Sequence, residues 1–397
     1  MNQRQLFLQH VAQTSPSALM LEIENGAGVY LWDIQGKKYM DLISGIGVSA
    51  LGHGHPSVIS AIKNQADKYL HTMVFGEFVL SPQVQLATTI CKYLPKELNS
   101  VYFTNSGTEA TEGAMKLVKR ITGRSEIAYF HNAYHGSSQG ALSIMGDEYF
   151  KAAFRPLLPE TLELIYNDIT SLSKITQKTA AVFFDLVQAE SGMTVAEKDF
   201  ILALKNKCQE TGTFLVLDEI QTGMGRTGTL FAFEQYGIVP DVLLLGKGFG
   251  GGLPLGCFIA SKEHMQTLTN NPVLGHITTF GGNPLCCAAA LANLNAIIEE
   301  HLISLVKEKS TLFLSQLKHS HFEKITGLGL MLAIQFKDEE MLQQVVQKCL
   351  AGGLITDWFL FAPNTLRIAP PLIISHDQIK EACAIILQAT SDCVKKD

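Results

Sequence analysis

The stretch "VLLLGKGFGGGLPLG", residues 242–256, combines an apolar run, a single charged residue and a cluster of glycines. The run Val242–Leu245 is typical of a strand that is buried on both faces of a parallel sheet. Lys247 follows after one glycine, so its amine would lie at the end of a buried strand. Because an unpaired charge is costly to bury, such a lysine has a lowered pKa or uses its amine covalently. The alternative is a Lys247 side chain that points into solvent.

A carboxylate is predicted at the end of a neighbouring strand. In "FLVLDEIQTGMGRTG", residues 214–228, an apolar run ends at Asp218 and a glycine-rich loop follows. Ligands bind beyond the carboxyl ends of parallel strands, so Asp218 and Lys247 would face one cleft. The alternative is an Asp218 carboxylate that only caps a turn or a helix.

The segment "YFTNSGTEATEGAMKLVKR", residues 102–120, predicts a helix start that binds phosphate. A strand ends, small residues form a turn, and a helix begins with Glu109 in its first turn. The free amide groups and the dipole at such a start suit a phosphate group. The alternative is an ordinary helix cap, in which Ser106 or Thr108 accepts hydrogen bonds from the helix amides.

Strand patterns alternate with helix patterns through the middle of the chain. The helix patterns include residues 109–121 and 199–210. This alternation predicts an α/β fold with a mostly parallel sheet. The strand candidates are "VYFT" (101–104), "EIAYF" (126–130), "LELIY" (162–166), "AVFFDL" (181–186), "TFLVLDE" (213–219), "DVLLLG" (241–246) and "GCFIAS" (256–261).

The two chain ends differ from this middle part. Residues 28–42, "GVYLWDIQGKKYMDL", read as a hairpin with its turn at Gln35 and Gly36. From about residue 285 onward a long helix precedes two further strand patterns. We therefore expect a large domain over residues 46–284 and a smaller α+β domain built from residues 1–45 and 285–397.

Composition limits the function classes. The 397 residues carry a net charge of −6, and Lys and Arg do not cluster, which argues against binding to nucleic acid or to an anionic membrane. Eight cysteines without CxxC or CxxH spacing predict neither a metal site nor a disulfide framework. The first 20 residues contain no uninterrupted apolar stretch that is typical of a signal peptide. We expect a soluble cytoplasmic protein.

Glycines 246, 248 and 251 match the dinucleotide-binding pattern GxGxxG. That pattern requires a helix directly afterwards, whereas Pro254 and a strand pattern follow here. A nicotinamide- or flavin-dependent oxidoreductase therefore stays a minor alternative. A phosphate-binding helix start, a carboxylate and a lysine at strand ends instead suit pyridoxal 5'-phosphate (PLP). The lysine would hold the PLP aldehyde as an imine, and the carboxylate would keep the pyridine nitrogen protonated.

Over nearly its whole length the chain resembles class III aminotransferases of the ornithine/acetylornithine type. The resemblance implies the fold-type I architecture of PLP-dependent transferases: a mainly parallel seven-stranded sheet, a small domain, and a homodimer with shared active sites. It also implies amino transfer from an ω-amino or diamino-acid donor to an α-keto acid such as 2-oxoglutarate or pyruvate. An aminomutase or epimerase is the alternative within the family. The matching motifs are "GHGHP" (52–56), "TNSGTEA" (104–110), "AYHGSSQGALS" (133–143), "LDEIQTGMGRTG" (217–228), "LLGKGFGGGLPLG" (244–256), "TTFGGNPLCCAAA" (278–290) and "LRIAPPL" (366–372).

The matched positions assign cofactor roles by resemblance. Lys247 would form the Schiff base and later carry the proton, and Asp218 would pair with the pyridine nitrogen. Thr279 would reach the phosphate bound by the other subunit. The same matching takes Arg226 as a structural ion-pair residue. The remaining cofactor contacts would be Ser106, Gly107 and Thr108 at the phosphate, Tyr134 and Ile220 on the two ring faces, and Gln221 near the phenolic oxygen.

The same matching assigns substrate roles and shows departures. Arg367 would bind the α-carboxylate of the keto acid, and Glu190 would cover that arginine while a side-chain amine reacts. The family's "EPxQGE" is "DLVQAE" (185–190) here. Ser137 replaces an arginine that grips a substrate carboxylate, and Ile46 replaces a substrate tyrosine. Losing that arginine would remove a charge-assisted contact of about 1.5–3 kcal/mol.

Overall fold

The computed structural model of the protein describes residues 2–394. The strands are β1 Ile23–Ala27, β2 Tyr30–Asp33, β3 Lys38–Asp41, β4 Ser100–Thr104, β5 Glu126–Phe130, β6 Thr161–Leu164, β7 Thr179–Phe184, β8 Val187–Gln188, β9 Thr194–Val195, β10 Phe214–Asp218, β11 Val242–Leu245, β12 Gly256–Ala260, β13 Lys324–Leu328, β14 Met331–Gln335, β15 Leu354–Ile355, β16 Trp358–Phe359 and β17 Ala362–Ile368.

The helices are of two kinds. The α-helices are α1 Gln3–His10, α2 Ser44–Gly47, α3 Pro56–Ala66, α4 Ser81–Lys92, α5 Gly107–Thr122, α6 Gln139–Ser143, α7 Lys198–Thr211, α8 Lys262–Gln266, α9 Pro284–Glu299, α10 Leu302–Gln316, α11 Glu339–Ala351 and α12 His376–Val394. Short 3-10 helices span Glu148–Phe150, Ala152–Phe154, Ile169–Lys174, Ala232–Tyr236, Lys247–Gly250 and Thr267–Thr269.

A seven-stranded sheet forms the centre of the molecule, in the order β4-β12-β11-β10-β7-β5-β6. The pairs from β11 to β6 are parallel, and β12 runs antiparallel to both of its neighbours. Every residue of β7 and β11 is buried, as their unbroken apolar runs predicted. The predicted α/β class with a mainly parallel sheet is therefore confirmed.

All seven strand candidates form strands of this sheet, with small differences at their ends. The largest concern the candidates that begin at residues 162 and 181, each predicted two residues too long at its carboxyl end. At the first of these, β6 ends because the Ile165 amide donates to Ser171 Oγ at 2.8 Å instead of to a neighbouring strand.

Helix α5 packs against the sheet with a buried apolar face. Ala110, Ala114, Leu117 and Val118 are all fully buried on this face. Gly113 allows the close approach, because a Cβ at this position would lie 2.3 Å from the Phe258 ring of β12. The contact fixes the start of α5 beside the ends of the central strands.

Residues from both ends of the chain share a second sheet, in the order β1-β2-β3-β15. The predicted hairpin is present as β2 and β3, and Asp33 Oδ1 accepts from the amides of Gln35 and Lys37 to close its turn. A third sheet, in the order β13-β14-β17-β16, carries the carboxyl-terminal strands. Arg367 lies in β17, on a sheet different from the one that carries Lys247.

No single helix in residues 2–394 is both long and apolar enough to cross a membrane. The consecutive helices α9 and α10 reach that length and hydropathy only as a pair, and they are bent by 69° at their junction.

Candidate active site

The carboxyl ends of β10 and β11 meet at a cavity of ≈ 290 Å³. The two strands are parallel neighbours, and Asp218 at the end of β10 lies opposite Leu244, three residues before Lys247. The sheet thus brings together the two residues that the sequence placed at one cleft. Among the predicted site residues, those that line the cavity are Gly107, Thr108, Tyr134, Glu190, Asp218, Ile220, Gln221 and Lys247.

Lys247 projects its amine into this cavity. Its side chain forms no hydrogen bond or ion pair with any residue from 2 to 394. Burial lowers the Lys247 pKa to about 8, although the nearby Glu190 and Asp218 carboxylates raise it. The backbone at Lys247 has φ of 45°, a left-handed conformation that is uncommon outside glycine and frequent at functional sites. The alternative of a solvent-directed lysine is wrong.

Asp218 is held by two groups. Its Oδ1 accepts from the Ile220 amide at 3.0 Å, and its Oδ2 lies 2.7 Å from His135 Nδ1. His135 is buried and also lines the cavity. This histidine lies in the motif "AYHGSSQGALS", but no role was predicted for it from the sequence. A histidine within a matched motif was the available signal, but its partner lies 83 residues away in the chain.

The start of α5 forms one end of the cavity. Gly107 and Thr108 are its first residues, so their amides have no acceptor within the helix. A Cβ at Gly107 would lie 2.7 Å from Ile220 Cδ1, and one at Gly136 would lie 2.3 Å from Thr108 Oγ1. Both glycines therefore keep space open around the helix start.

Ser106 and Thr279 lie outside the lining of the cavity. Ser106 caps α5, and its Oγ accepts from the Glu109 amide at 3.3 Å, as the capping alternative described. Thr279 is exposed in the loop before α9. Tyr134 and Ile220 both line the cavity, and the Tyr134 hydroxyl lies 3.1 Å from Ser137 Oγ.

A buried ion-pair cluster adjoins the cavity at Glu190, which lines it, whereas Arg367 lies outside the lining. Arg367 Nη1 and Nη2 donate to the two oxygens of Glu190, each at 3.1 Å. Arg367 Nε lies 2.9 Å from Asp357 Oδ1, at an angle outside that of a hydrogen bond. Glu190 is only 6% exposed and is therefore buried inside this cluster.

Charge and burial act in opposite directions on these carboxyls. Burial acts to raise the Glu190 pKa, but the bidentate Arg367 outweighs it and the pKa is lowered. At Asp357 burial dominates over the arginine, and the pKa is raised to about 6. Asp357 could not be predicted from the sequence, because nothing in "ITDWF" indicates which residue of β17 it faces.

Arg226 does not form the ion pair that the sequence predicted. Its guanidinium is buried and donates to the carbonyl oxygens of Leu330 and Pro370. Burial lowers its pKa to about 10, and the more distant Asp41 raises it. Within residues 2–394 no carboxylate lies at ion-pair distance from Arg226. It ties the loop after β10 to the carboxyl-terminal part of the chain.

Known proteins are similar to this chain in sequence and in fold. The model of the aminotransferase class-III family matches residues 11–390. An acetylornithine aminotransferase of Methanopyrus kandleri is 36% identical over 369 residues, 92% of each chain. A transaminase structure from the marine bacterium Virgibacillus superposes with a TM-score of 0.93 at 26% identity and covers 99% of both chains.

An ornithine aminotransferase structure from Toxoplasma gondii has a TM-score of 0.91 at 27% identity, with 99% of this chain and 94% of that chain covered. That structure has partial occupancy of PLP at its active site. The central sheet and these neighbours define a transferase of fold-type I. The chain belongs to the aminotransferase class-III family, and its activity is that of a transaminase.

Proposed function

We propose that this protein uses PLP to move an amino group from an ω-amino or diamino-acid donor, of the ornithine or acetylornithine kind, to an α-keto acid such as 2-oxoglutarate or pyruvate. The observation that carries the proposal is the unpartnered Lys247 amine beside Asp218 in one cavity. The named relatives support the donor class, since acetylornithine and ornithine stand in their names.

The cavity fits PLP at three points. Lys247 offers an amine, the start of α5 offers free amides for a phosphate, and Asp218 offers a carboxylate for the pyridine nitrogen. Gly107 and Gly136 keep the cradle open where any larger side chain would fill it. When bound, PLP supplies an electrophilic aldehyde and a ring that accepts electrons from the substrate carbon.

Lys247 would hold the cofactor and move the proton between substrate atoms. Its pKa of about 8 keeps a fraction of the amine neutral near neutral pH, and only a neutral amine is a nucleophile or a base. Asp218 would orient and keep protonated the pyridine nitrogen. Tyr134 and Ile220 would enclose the ring from opposite faces, with Gln221 beside it.

Arg367 would bind the α-carboxylate of the keto acid through paired donors. In this structure both donors are occupied by Glu190, so Glu190 must turn away before such a carboxylate can bind. A donor that reacts through a side-chain amine needs no such movement. One site would in this way accept two unlike substrates in turn.

We also propose a homodimer in which Thr279 serves the phosphate site of the partner. An exposed apolar patch supports it, because monomeric proteins rarely leave so many large apolar side chains in water. The patch lies on two segments, residues 70–79 and 273–280, and Thr279 is within the second. A hydrogen bond of 3.0 Å from Asn283 Nδ2 to the Leu70 carbonyl holds the two segments together. The patch comprises Leu70, Met73, Phe78, Val79, Val273, Leu274, Ile277 and Phe280.

The division into domains is likewise a proposal. The central sheet would belong to a PLP-binding domain over residues 46–284, and residues 1–45 and 285–397 would form the small domain. The shared sheet of β1, β2, β3 and β15 supports this, since it joins the two chain ends. A cytoplasmic location remains a prediction.

A half-reaction screen tests the proposal. The purified protein, loaded with PLP, is mixed with single amino donors, and the absorbance of the bound cofactor is followed as it passes from the aldehyde to the amine form. We expect ω-amino and diamino-acid donors to convert it and keto acids to restore it. The exposed Lys262→Ala should behave as wild type, and Lys247→Ala should not respond. Products that are rearranged or epimerised, with no keto product, would favour the aminomutase or epimerase instead.

A further inference from the structure

His135 is a buried side chain with one nitrogen unsatisfied. Its ring is enclosed at 2% exposure, and Nδ1 lies 2.7 Å from Asp218 Oδ2. Nε2 has no hydrogen-bond partner among residues 2–394. A buried polar atom without a partner is costly, so the group that faces Nε2 needs a physical account.

That group is Asp185. Its Oδ2 lies 3.7 Å from His135 Nε2, just beyond hydrogen-bond distance. Asp185 follows β7, so three parallel strand ends supply the arrangement: Asp185 after β7, Asp218 at the end of β10, and the loop after β5 with His135. Asp185 also lines the cavity, and the charged groups that act on it are His135, Asp218 and Lys247.

The arrangement contains one proton whose position matters. His135 donates from Nδ1 to the Asp218 carboxylate, which leaves Nε2 and Asp185 to share a second proton. If the proton lies on Nε2, a cationic ring stands between two carboxylates. The pKa of His135 is raised, because Asp185 and Asp218 together outweigh the effect of its burial. Burial also raises the pKa of Asp185, and the charge of the His135 ring opposes that rise.

The length of Asp185 explains the gap. The motif "DLVQAE" carries Asp185 at the first position, where the family pattern has the longer glutamate. A side chain longer by one methylene group can close a separation of 3.7 Å to hydrogen-bond distance. Asp185 thus acts on His135 through its charge, without a direct hydrogen bond.

We propose that Asp185 is a positioning residue that keeps the second proton on His135 and, through that ring, holds the Asp218 carboxylate in place for the pyridine nitrogen. The inference rests on the proposed function, because it assumes that Asp218 faces PLP. Asp185 is separate from the cluster of Glu190 and Arg367 that is proposed to bind the keto acid.

The test measures the protonation of His135 by NMR of histidine-labelled protein, with and without PLP, and with the signal assigned by His135→Gln. Asp185→Asn removes the charge at nearly constant shape. We expect the His135 pKa to fall by about 1 unit or more, the shift typical of losing one opposite charge within 4–6 Å. Asp185→Glu should leave the pKa at or above that of wild type.

Glu163→Gln is the matched control, since Glu163 pairs with the exposed His131 at 2.7 Å and does not line the cavity. Asp185→Asn should also lower kcat and weaken PLP binding while KM for the keto acid stays unchanged. Asp185→Glu should restore both. A His135 pKa that is equal in Asp185→Asn and Glu163→Gln would overturn the inference, whatever the activity. A protein that binds no PLP, with the His135 shift present, would overturn the proposed function alone.

Discussion

The cofactor side of the cavity and the ion-pair cluster that adjoins it at Glu190, here called the substrate side, each contain a basic group between carboxylates, but the two basic groups differ in kind. On the cofactor side, His135 lies between Asp218 and Asp185, and one of its nitrogens has no hydrogen bond. An imidazole can give up its charge near neutral pH. This side can therefore change its electrostatics by moving a proton while its side chains stay in place.

The substrate side cannot respond in this manner. Arg367 is held by both oxygens of Glu190, by Asp357 and by the Trp358 carbonyl at 3.0 Å, and its guanidinium lies 4.4 Å from the Phe359 ring centre. A guanidinium keeps its charge at all physiological pH values. This side can change only by moving a side chain, and Glu190 is the one that a substrate carboxylate would displace. Proton movement is therefore possible on the cofactor side, whereas the substrate side responds only by side-chain movement.

Replacing Lys247 with alanine should produce the largest effect, and it should impair only the cofactor side of the cavity. The amine that holds PLP and moves the proton is lost, so kcat should fall by about 10²–10⁴-fold or more. The bound visible chromophore should disappear as well. Keto-acid binding, measured by equilibrium dialysis, should remain, because Glu190 and Arg367 are untouched. Full activity in Lys247→Ala would contradict the proposed role of this residue.

Arg367→Lys should impair only keto-acid binding on the substrate side. Lysine keeps the charge but lacks the paired donors, so a keto acid should lose about 1.5–3 kcal/mol of binding, or about tenfold to over a hundredfold in KM. The absorbance spectrum of the bound cofactor should be unchanged, as should the half-reaction with a donor that reacts through a side-chain amine. An equal loss for donor and keto acid would show that the two sides are not separate.

Asp357→Asn should change how the free energy of unfolding depends on pH. Burial raises the Asp357 pKa to about 6, so the folded protein binds this proton more tightly than the unfolded chain does. The corresponding stabilisation is complete below the unfolded pKa of 3.8 and is lost as the pH rises through about 6. Wild type should therefore lose about 2–3 kcal/mol relative to Asp357→Asn between these pH values, because each pKa unit corresponds to about 1.4 kcal/mol. Denaturant unfolding at both pH values measures the difference.

Much of the fold could be predicted from the sequence because buried parallel strands leave a local pattern. Val242–Leu245 is apolar throughout, and its neighbour along the sheet ends in Asp218, so the strand pattern alone placed Asp218 and Lys247 together. The helix start at Gly107 was predicted by the same local means. These features depend on a few residues next to one another in the chain.

The remaining contacts depend on which distant segments meet. His135 and Asp218 are 83 residues apart, and Arg226 reaches a carbonyl 144 residues away. A buried arginine suggests a carboxylate partner, yet Arg226 donates from Nη1 to carbonyl oxygens, and its Nη2 has no hydrogen-bond partner among residues 2–394. Ser106 caps α5, and a motif match alone does not tell a helix cap from a residue that faces the ligand, so its contact with a phosphate stays a prediction.

The smallest effect is expected at Ser137, at the mouth of the cavity. Family resemblance alone suggested a loss of about 1.5–3 kcal/mol for a second substrate carboxylate. Ser137 is exposed and its hydroxyl lies 3.1 Å from the Tyr134 hydroxyl, so solvent screens any charge placed here. An exposed ion pair contributes about 0.2–1 kcal/mol. Ser137→Arg should therefore improve the use of 2-oxoglutarate or ornithine by no more than about fivefold.

The use of pyruvate separates this charge effect from a general change at the mouth. Pyruvate has a single carboxylate, which Arg367 would bind, so Ser137→Arg should leave its KM unchanged while KM for 2-oxoglutarate falls. Ser137→Gln is the neutral control, because it fills similar space without the charge. The improvement should also decline with added salt, as an exposed ion pair requires. If the wild-type protein already used ornithine with 2-oxoglutarate at micromolar concentrations, another group would have to bind the distal carboxylate. The serine at position 137 would then not limit the choice of substrate.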